Sequence, residues 1–408
     1  MINKKGEKYT KLQKFIWLKN LKNIDFILKI CNNILMKKVA IFGGTFNPVH
    51  LEHVSLCQSA IKELDLDKLI VMPTFISPHK ANKTCLSATD RLNMLKLAFE
   101  GQEKIEVSDF EILKEGKSYT YQTIESFYQQ GVKLYFIVGG DMLNDFKTWR
   151  NPERILDKAT LVVFERQSIF TDFEKEQEYF SKTFCTNFIK LSYVGKDFSS
   201  TKIRTYAKFG LSLEGLMPKK VEDYIKQNEL YKPDRYEQFV IKNLPEKRLK
   251  HTADVVVCAL KRARELGLDE EKVRLSATLH DVAKYIDHTT EKEFVLPDKV
   301  PQPVIHAYLG AFIAQKYLGI DDAEIIDAIR YHTSGRANMS LLEKLVFVAD
   351  MVEEGRVYEG VDHLRYLYEN RDFENCFIEC LKEEFVHLLN KKQYIYVKTI
   401  EAFNYYVK

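Results

Sequence analysis

The spacing of apolar residues changes character once along this 408-residue chain, near residues 231–236. Before that point, short β-branched or aromatic runs alternate with helix-patterned segments, which is typical of βαβ units around a parallel sheet. After it, apolar residues recur at helical spacing, as in Leu275, Leu279, Val282 and Ile286. The sequence therefore predicts an α/β domain over residues 36–232 and an all-α domain over residues 233–408, joined by a short linker.

The strands of the first domain are predicted from six apolar runs, with helices between them. The runs cover residues 39–42, 68–72, 105–107, 134–138, 161–164 and 188–191, and helices are predicted over residues 88–99 and 121–130. In the second domain, the periodicity predicts one helix that continues through residues 279–284.

Residues 1–35 form a basic extension with eight Lys against two acidic residues. Two interpretations stay open for it, a disordered arm or a stretch upstream of a true start at Met36. The whole chain has a formal charge of +3, which gives no reason to expect nucleic acid as a partner. No apolar run reaches the roughly 18 residues of a membrane span, and seven scattered cysteines without a CxxC pair indicate reduced thiols. We therefore expect a cytoplasmic protein without a membrane partner, and a homo-oligomer stays open.

The most informative segment of the first domain is a strand that breaks at Gly43-Gly44 and leads through Pro48 into a helix. Glycines let a backbone approach a ligand closely, and a helix N-terminus offers N–H groups to phosphate. His50 and His53 lie three residues apart on one face of that helix and can donate to a developing negative charge. Taken alone, the pair also fits a zinc site or a surface position.

A second segment favours the phosphate interpretation. Ser199, Ser200 and Thr201 follow the last predicted strand and supply a helix N-cap and hydroxyl donors, with Arg204 one turn further on. The two helix N-termini together could grip one polyphosphate.

These segments resemble the bacterial nicotinate-nucleotide adenylyltransferases of the nucleotidylyltransferase superfamily. The resemblance covers residues 36 to about 232 through GGTFNPVHLEH at 43–53, PTFISPHK at 73–80, DFEILKEGKSYTYQTIE at 109–125, GGDMLNDFKTWRNPERIL at 139–156 and SSTKIR at 199–204. It implies a Rossmann-like fold and an enzyme that joins ATP to nicotinate mononucleotide with Mg²⁺, forming deamido-NAD and pyrophosphate. A transferase for another mononucleotide or for phosphopantetheine is disfavoured by the segment 118–120 and by Trp149.

The resemblance also implies roles for individual residues. His50, His53 and Arg204 are the expected catalytic residues, and Asp141 is the expected acid on the adenosine side. The expected substrate-binding residues are Gly43, Gly44, Thr45, Phe46, Lys80, Thr120, Asp141, Trp149, Ser199, Ser200 and Thr201. One departure is Glu52, which stands where the superfamily usually has Gly between the two histidines, so that a side chain sits where nucleotide could approach closely.

The second domain holds histidines and aspartates in a helical context. The adjacent pair His280-Asp281 can flank one metal ion or reach two, and burial of a charged Asp needs a compensating partner. Imidazole and carboxylate ligands without thiolate favour iron, manganese or a related divalent ion.

The pattern H…HD…H…H…D resembles the HD superfamily of metal-dependent phosphohydrolases, and residues 247 to about 400 resemble its bacterial symmetrical diadenosine-tetraphosphatases. The resemblance implies a centre of two divalent ions, expected to be iron, and a metal-activated water that splits diadenosine tetraphosphate into two ADP, with Asp281 catalytic. An HD nucleotide-sensing module or a hydrolase of another phosphoester remain alternatives. Lys284 and Arg336 are the expected phosphate contacts, and the implied metal ligands are His251, His280, Asp281, His306, His332 and Asp350.

Overall fold

The computed structural model describes residues 36–75, 85–114, 116, 119–166, 171–196, 198–370 and 372–407. In the first half, residues 36–232, it contains six strands: β1 Lys37–Gly44, β2 Lys68–Pro73, β3 Ile105–Val107, β4 Val132–Gly139, β5 Thr160–Arg166 and β6 Ile189–Gly195. The helices of this half are α1 Leu51–Leu64, α2 Ala88–Ala98, α3 Phe110–Lys114, α4 Thr120–Phe127, α5 Leu143–Phe146, α6 Pro152–Lys158, α7 Phe173–Phe184, α8 Ser200–Lys208 and α9 Lys219–Gln227.

The six strands form one parallel sheet in the order β3-β2-β1-β4-β5-β6. Both faces of the sheet are covered, since one apolar cluster contains Ala40 and Phe42 and another contains Ile41. The order in which strands are added to the sheet reverses between β1 and β4, and such a switch point is where open α/β sheets bind ligands. The expected Rossmann-like class is confirmed, and each of the six predicted apolar runs lies in or overlaps a strand.

The second half, residues 233–407, contains helices and no strand among the residues that the structure describes. Its α-helices are α10 Arg235–Asn243, α11 Glu246–Ala263, α12 Glu270–Leu279, α13 Gln302–Lys316, α14 Ala323–Tyr331, α15 Leu341–Val352, α16 Val361–Glu369, α17 Phe373–Asn390 and α18 Val397–Tyr406. None of the helices in the described ranges is both long and apolar enough to cross a membrane.

The prediction that one helix continues through residues 279–284 is wrong. α12 ends at Leu279, and the next backbone bonds join residues three apart, from Val282 N–H to the Leu279 carbonyl and from Lys284 N–H to the Asp281 carbonyl. The ring Nδ1 of His280 lies 2.7 Å from the Ala277 carbonyl, which a continuing α-helix would pair with the N–H of residue 281. The side chain thus replaces a helical bond and ends the helix at the candidate metal site.

The two halves pack directly against each other. One contiguous apolar cluster includes Ile203 from α8 and Val255 from α11. In the buried contact between these helices, the Tyr206 hydroxyl donates to Asp254 at 2.6 Å. The short predicted linker is anchored as well, because the Tyr231 hydroxyl donates to the side chain of Asn47 at 2.7 Å.

Candidate functional sites

The first candidate site begins at the end of β1, where the chain turns toward α1. A Cβ at Gly43 would meet nothing within 4 Å, so this backbone is open to a ligand. At Gly44 a Cβ would lie 3.1 Å from the ring of Phe46, which is buried and has a φ of 46°. Arg91 of α2 braces the turn by donating to the Thr45 carbonyl at 2.8 Å. The glycines therefore serve ligand access at one position and local packing at the next.

His50 and His53 stack at the N-terminus of α1, with ring centroids 3.7 Å apart. The His50 backbone N–H donates to His53 Nδ1 at 3.2 Å, so a neutral His53 carries its proton on Nε2. Burial and the charge of Arg166 lower the pKa of His50 to about 3. The His50 ring is therefore neutral near pH 7, and its Nδ1 is buried without a hydrogen-bond partner among the described residues.

The second predicted segment meets this turn. Ser199 caps α8 by accepting from the Lys202 N–H at 3.1 Å. The Ser200 hydroxyl donates to the Pro48 carbonyl at 2.9 Å, and Arg204 donates to the Asn47 carbonyl at 2.9 Å and to Thr201 at 3.1 Å. The structure thus brings the N-termini of α1 and α8 together, as the sequence analysis expected for one polyphosphate site.

The remaining predicted residues of this half surround the ends of β4 and α4. Asp141 follows β4, and its Oδ1 is buried with no hydrogen-bond partner among the described residues, while Arg166 lies 3.6 Å from its Oδ2. Trp149 packs beside Phe136 at 6.2 Å between ring centroids, and Thr120 begins α4. The predicted residue Lys80 lies outside the described residues.

The second candidate site gathers all six predicted ligands in the helical half. Three overlapping groups place their donor atoms within 4.8 Å of one another: His251, His280 and Asp281; His280, His332 and Asp350; Asp281, His306 and His332. Asp281 is the pivot, because its Oδ1 lies 3.1 Å from His306 Nε2 and its Oδ2 lies 3.9 Å from His251 Nε2. One carboxylate oxygen therefore faces each side of the cluster.

In three of the histidine rings, Nδ1 points away from the cluster and contacts another group of the protein. The Nε2 atoms of these rings face the cluster and remain for an ion. His280 Nδ1 lies 2.7 Å from the Ala277 carbonyl, His332 Nδ1 lies 2.8 Å from the Ile329 carbonyl, and His251 Nδ1 lies 3.0 Å from Glu353 Oε1. Ring nitrogens of metal-ligating histidines are held in this way. His280 Nε2 is buried without a hydrogen-bond partner among the described residues, and His251 Nε2 lies 3.0 Å from Asp350 Oδ1, so the donor set fits a divalent ion.

The electrostatics of the cluster keep His280, His306 and Asp281 in their metal-binding protonation states. The pKa of His251 is raised instead, because its burial is outweighed by hydrogen bonds with Asp350 and Glu353. Burial lowers the pKa of His280 to about 3 and that of His306 to about 4, so both rings are neutral. Burial alone would raise the pKa of Asp281, but the surrounding His280, His306, His332 and Lys284 hold it well below its usual range. Neutral imidazoles and an ionised carboxylate are the forms that bind metal.

The two predicted phosphate contacts of this half have different surroundings. Lys284 Nζ lies 3.5 Å from Asp281 Oδ1 and 3.1 Å from His306 Nε2, at the cluster itself. Arg336 instead makes a two-pronged ion pair with buried Glu343, at 2.7 and 2.8 Å. Its guanidinium also donates to Asp327, so its donors are engaged in holding α14 to α15.

Comparisons with known proteins find a different family in each half of the chain. A cytidylyltransferase-like family model matches residues 41–206, and an HD domain model matches residues 248–355. A probable nicotinate-nucleotide adenylyltransferase of Clostridium tetani is 42% identical over 202 residues, which are 48% of this chain and 100% of the relative. The chain belongs to the nicotinate-nucleotide adenylyltransferase family.

The adenylyltransferase half is fused to an HD domain, and this arrangement has a relative too. A Mycoplasma genitalium protein named probable nicotinate-nucleotide adenylyltransferase/Ap4A hydrolase is 29% identical over 335 residues, covering 80% of this chain and 90% of the relative. Among solved structures, a predicted HD superfamily hydrolase of Clostridium acetobutylicum is 32% identical to this chain. The match covers 43% of this chain and 96% of the hydrolase, with a TM-score of 0.39.

In the adenylyltransferase half, three site residues were missed by the sequence analysis. Arg91 and Asn47 hold the turn after β1, and Arg166 lies between Asp141 and His50. Arg166 ends β5, two residues beyond the predicted run 161–164, and its position at the C-terminal edge of the sheet could have indicated it.

In the HD half, the missed residues are those that hold the ligands. Arg248 donates to Asp281 at 2.8 Å, Glu353 holds His251, and Arg356 pairs with Asp350. Arg248 precedes His251 by three residues, and Glu353 follows Asp350 by three. Helical spacing from a ligand is therefore the signal that could have found two of them.

Proposed function

We propose that residues 36–232 transfer the adenylyl group of ATP to nicotinate mononucleotide, forming deamido-NAD and pyrophosphate. The observation that carries this proposal is the meeting of the α1 and α8 N-termini, through the bond from Ser200 to Pro48 and the bond from Arg204 to Asn47. Such a pair of helix starts suits a triphosphate, and the names of the relatives supply the acceptor.

The chain's own groups would act by position and charge. The mononucleotide phosphate attacks the α-phosphorus of ATP in line, and Mg²⁺ enters with ATP as part of the substrate. The Nε2–H of His53 donates to phosphate oxygens, and Arg204 with the α8 N-terminus neutralises the departing pyrophosphate. No covalent enzyme intermediate is needed, because preorganised donors stabilise the transferring group.

The test is a coupled assay of the full chain with ATP and nicotinate mononucleotide, with nicotinamide mononucleotide and phosphopantetheine as competing acceptors. We expect deamido-NAD as the main product. His53→Ala should lower the rate by about 10²-fold or more, the range for a lost donor at a developing oxyanion. Turnover of His53→Ala near the wild-type rate, or preference for another acceptor, contradicts the proposal.

We also propose that residues 233–408 form a metal-dependent phosphohydrolase that cleaves diadenosine tetraphosphate symmetrically. The supporting observation is the pivot position of Asp281, with one oxygen toward His306 and the other toward His251. Two ions would be held by residues on either side of Asp281, with His251, His280 and Asp350 on one side and His306 and His332 on the other. We propose iron for both, since the donors are imidazole and carboxylate alone.

When bound, such ions polarise phosphoryl oxygens and lower the pKa of water. The chain's residues would do the rest. Lys284, beside His306, offers a cation to a non-bridging phosphate oxygen, and Arg248, 25% exposed, offers a second at Asp281. The acidic ligands would otherwise repel a polyphosphate, so these cations favour its approach.

Metal analysis followed by product chromatography tests the second proposal. About two ions per chain and ADP as the product of diadenosine tetraphosphate support it. Tight nucleotide binding without a product supports a sensing module, and ATP with AMP as products contradicts symmetrical cleavage.

We place this enzyme in the cytoplasm as part of the proposal. Six cysteines in the described residues, among them Cys57, Cys376 and Cys380, are unpaired thiols, as a reducing compartment allows.

A further inference from the structure

Glu52 carries a carboxylate into the first turn of α1, between His50 and His53. The carboxylate turns toward the end of β6, where its Oε2 accepts from the Lys196 backbone N–H at 2.9 Å and from the Tyr193 hydroxyl at 2.5 Å. Burial, with the Glu52 carboxylate, raises the pKa of Tyr193 well above its usual value, so the phenol stays a donor. The carboxylate of Glu52 is therefore bound by two donors of the protein, which lie 141 and 144 residues further along the chain.

The partner of Glu52 is the backbone that leads into the second phosphate segment. β6 is the last strand of the sheet, with β5 as its neighbour, so donors on its other edge have no strand to pair with. Lys196 follows β6, and Ser200 begins α8 four residues later. Ser200 in turn donates to the Pro48 carbonyl just before α1. Both ends of this short connection are thus tied to the N-terminal end of α1.

We propose that Glu52 is a positioning residue for ATP, which fixes the N-terminus of α8 relative to His50 and His53 by holding the backbone at Lys196. The inference rests on the proposed adenylyl transfer. The Gly that the superfamily usually has at this position has no side chain with which to make this tie. In this chain, Glu52 instead connects α1 to the backbone at Lys196 by a hydrogen bond.

Glu63 offers a matched control on the same helix. Its carboxylate also holds β6, by accepting from the Ser192 N–H at 2.9 Å and from the Ser192 hydroxyl at 2.7 Å. Glu52 and Glu63 are eleven positions apart, or about 16 Å along α1, so Glu63 lies at the end away from the phosphate segments. Loss of either carboxylate loosens β6, but only loss of Glu52 frees the start of α8.

The experiment compares Glu52→Ala, Glu52→Gln and Glu63→Ala in the full chain, with steady-state kinetics and calorimetric ATP binding. Glu52→Ala should raise KM and Kd for ATP about tenfold, equivalent to about 1.4 kcal/mol, and change kcat much less. Glu52→Gln should restore both constants to within about twofold, because the amide oxygen accepts the same two donors. Glu63→Ala should leave both constants at the wild-type values.

Two results overturn the inference. One is an ATP Kd for Glu52→Ala within about twofold of wild type. The other is an equal rise in Glu63→Ala, which would make the role of Glu52 general packing of β6. A wild-type chain that forms no deamido-NAD is a different result, since it defeats the proposed transfer while the ATP Kd still tests Glu52. Urea unfolding of each variant identifies chains that have lost their fold.

Discussion

The carboxylate of Glu353 is the sharpest place to test the candidate metal centre without removing a ligand. Glu353 is 2% exposed, its Oε1 lies 3.0 Å from His251 Nδ1, and its other oxygen accepts from the Gly355 N–H. Glu353→Gln keeps the shape and removes the charge that orients the ring and makes its inner nitrogen more basic. We expect metal affinity to fall by 10- to 100-fold, the usual effect of losing such a partner, or about 1.4–2.7 kcal/mol.

The adjacent Glu354 is the matched control. Its side chain is 70% exposed and pairs with Lys202 at 2.5 Å, and exposed ion pairs contribute little to stability. The assay is titration of chelator-stripped full chain with Mn²⁺, read by calorimetry and by hydrolysis at each metal concentration. Glu354→Gln should bind Mn²⁺ like wild type, and Glu353→Gln should recover hydrolysis at high Mn²⁺. Equal Kd values for wild type and Glu353→Gln, or an equal loss in both variants, would refute the reasoning.

Three further predictions concern stability and metal content. Tyr206→Phe removes a buried donor to Asp254, which also accepts from Lys250, so the free energy of unfolding in urea should fall by about 1–2 kcal/mol. An unchanged free energy of unfolding would contradict the contact. Unfolded His50 takes up a proton below about pH 6.5 and folded His50 only near 3, so it lowers stability as pH falls from 6.5. When the pH falls from 7 to 5, the free energy of unfolding of His50→Asn should therefore decrease by about 2 kcal/mol less than that of the wild type in the same urea assay. An equal decrease in both proteins would exclude a buried neutral ring. Asp281→Ala removes the pivot, so metal analysis should find no bound ion, and retained metal would show that the ligand set is different.

The strands were predictable because their signal is local. Each run of β-branched and aromatic residues lies in a sheet with both faces covered, so a continuous apolar run and its flanking turns mark it. The end of α12 was not predictable in this way. Apolar spacing continues past Leu279, but the helix ends because the His280 ring bonds to the Ala277 carbonyl. Apolar periodicity does not report such a side-chain contact.

The candidate sites were predictable as residue types, and their supporting contacts were not. His251 and Asp281 stand in a recognisable pattern, but the oxygen of Asp281 that each ring faces depends on how four helices pack. The tertiary partner of Arg336 was not predictable either. Its role as a phosphate contact stays a prediction, and the sequence did not indicate that buried Glu343 binds its guanidinium. Tertiary partners decide which charges remain for a substrate.

The helix α8 contacts both the turn before α1 and the HD half. Ser200 and Arg204 are four residues apart and so lie on one face, which meets the turn before α1. Lys202 and Tyr206 lie on the opposite face and bind Glu354 and Asp254 of the HD half. Because both pairs lie on one helix, α8 holds its contact with Asp254 at a fixed distance from Arg204. The sequence pattern changes near residue 232, between the two candidate sites, but one continuous apolar cluster includes residues of both halves.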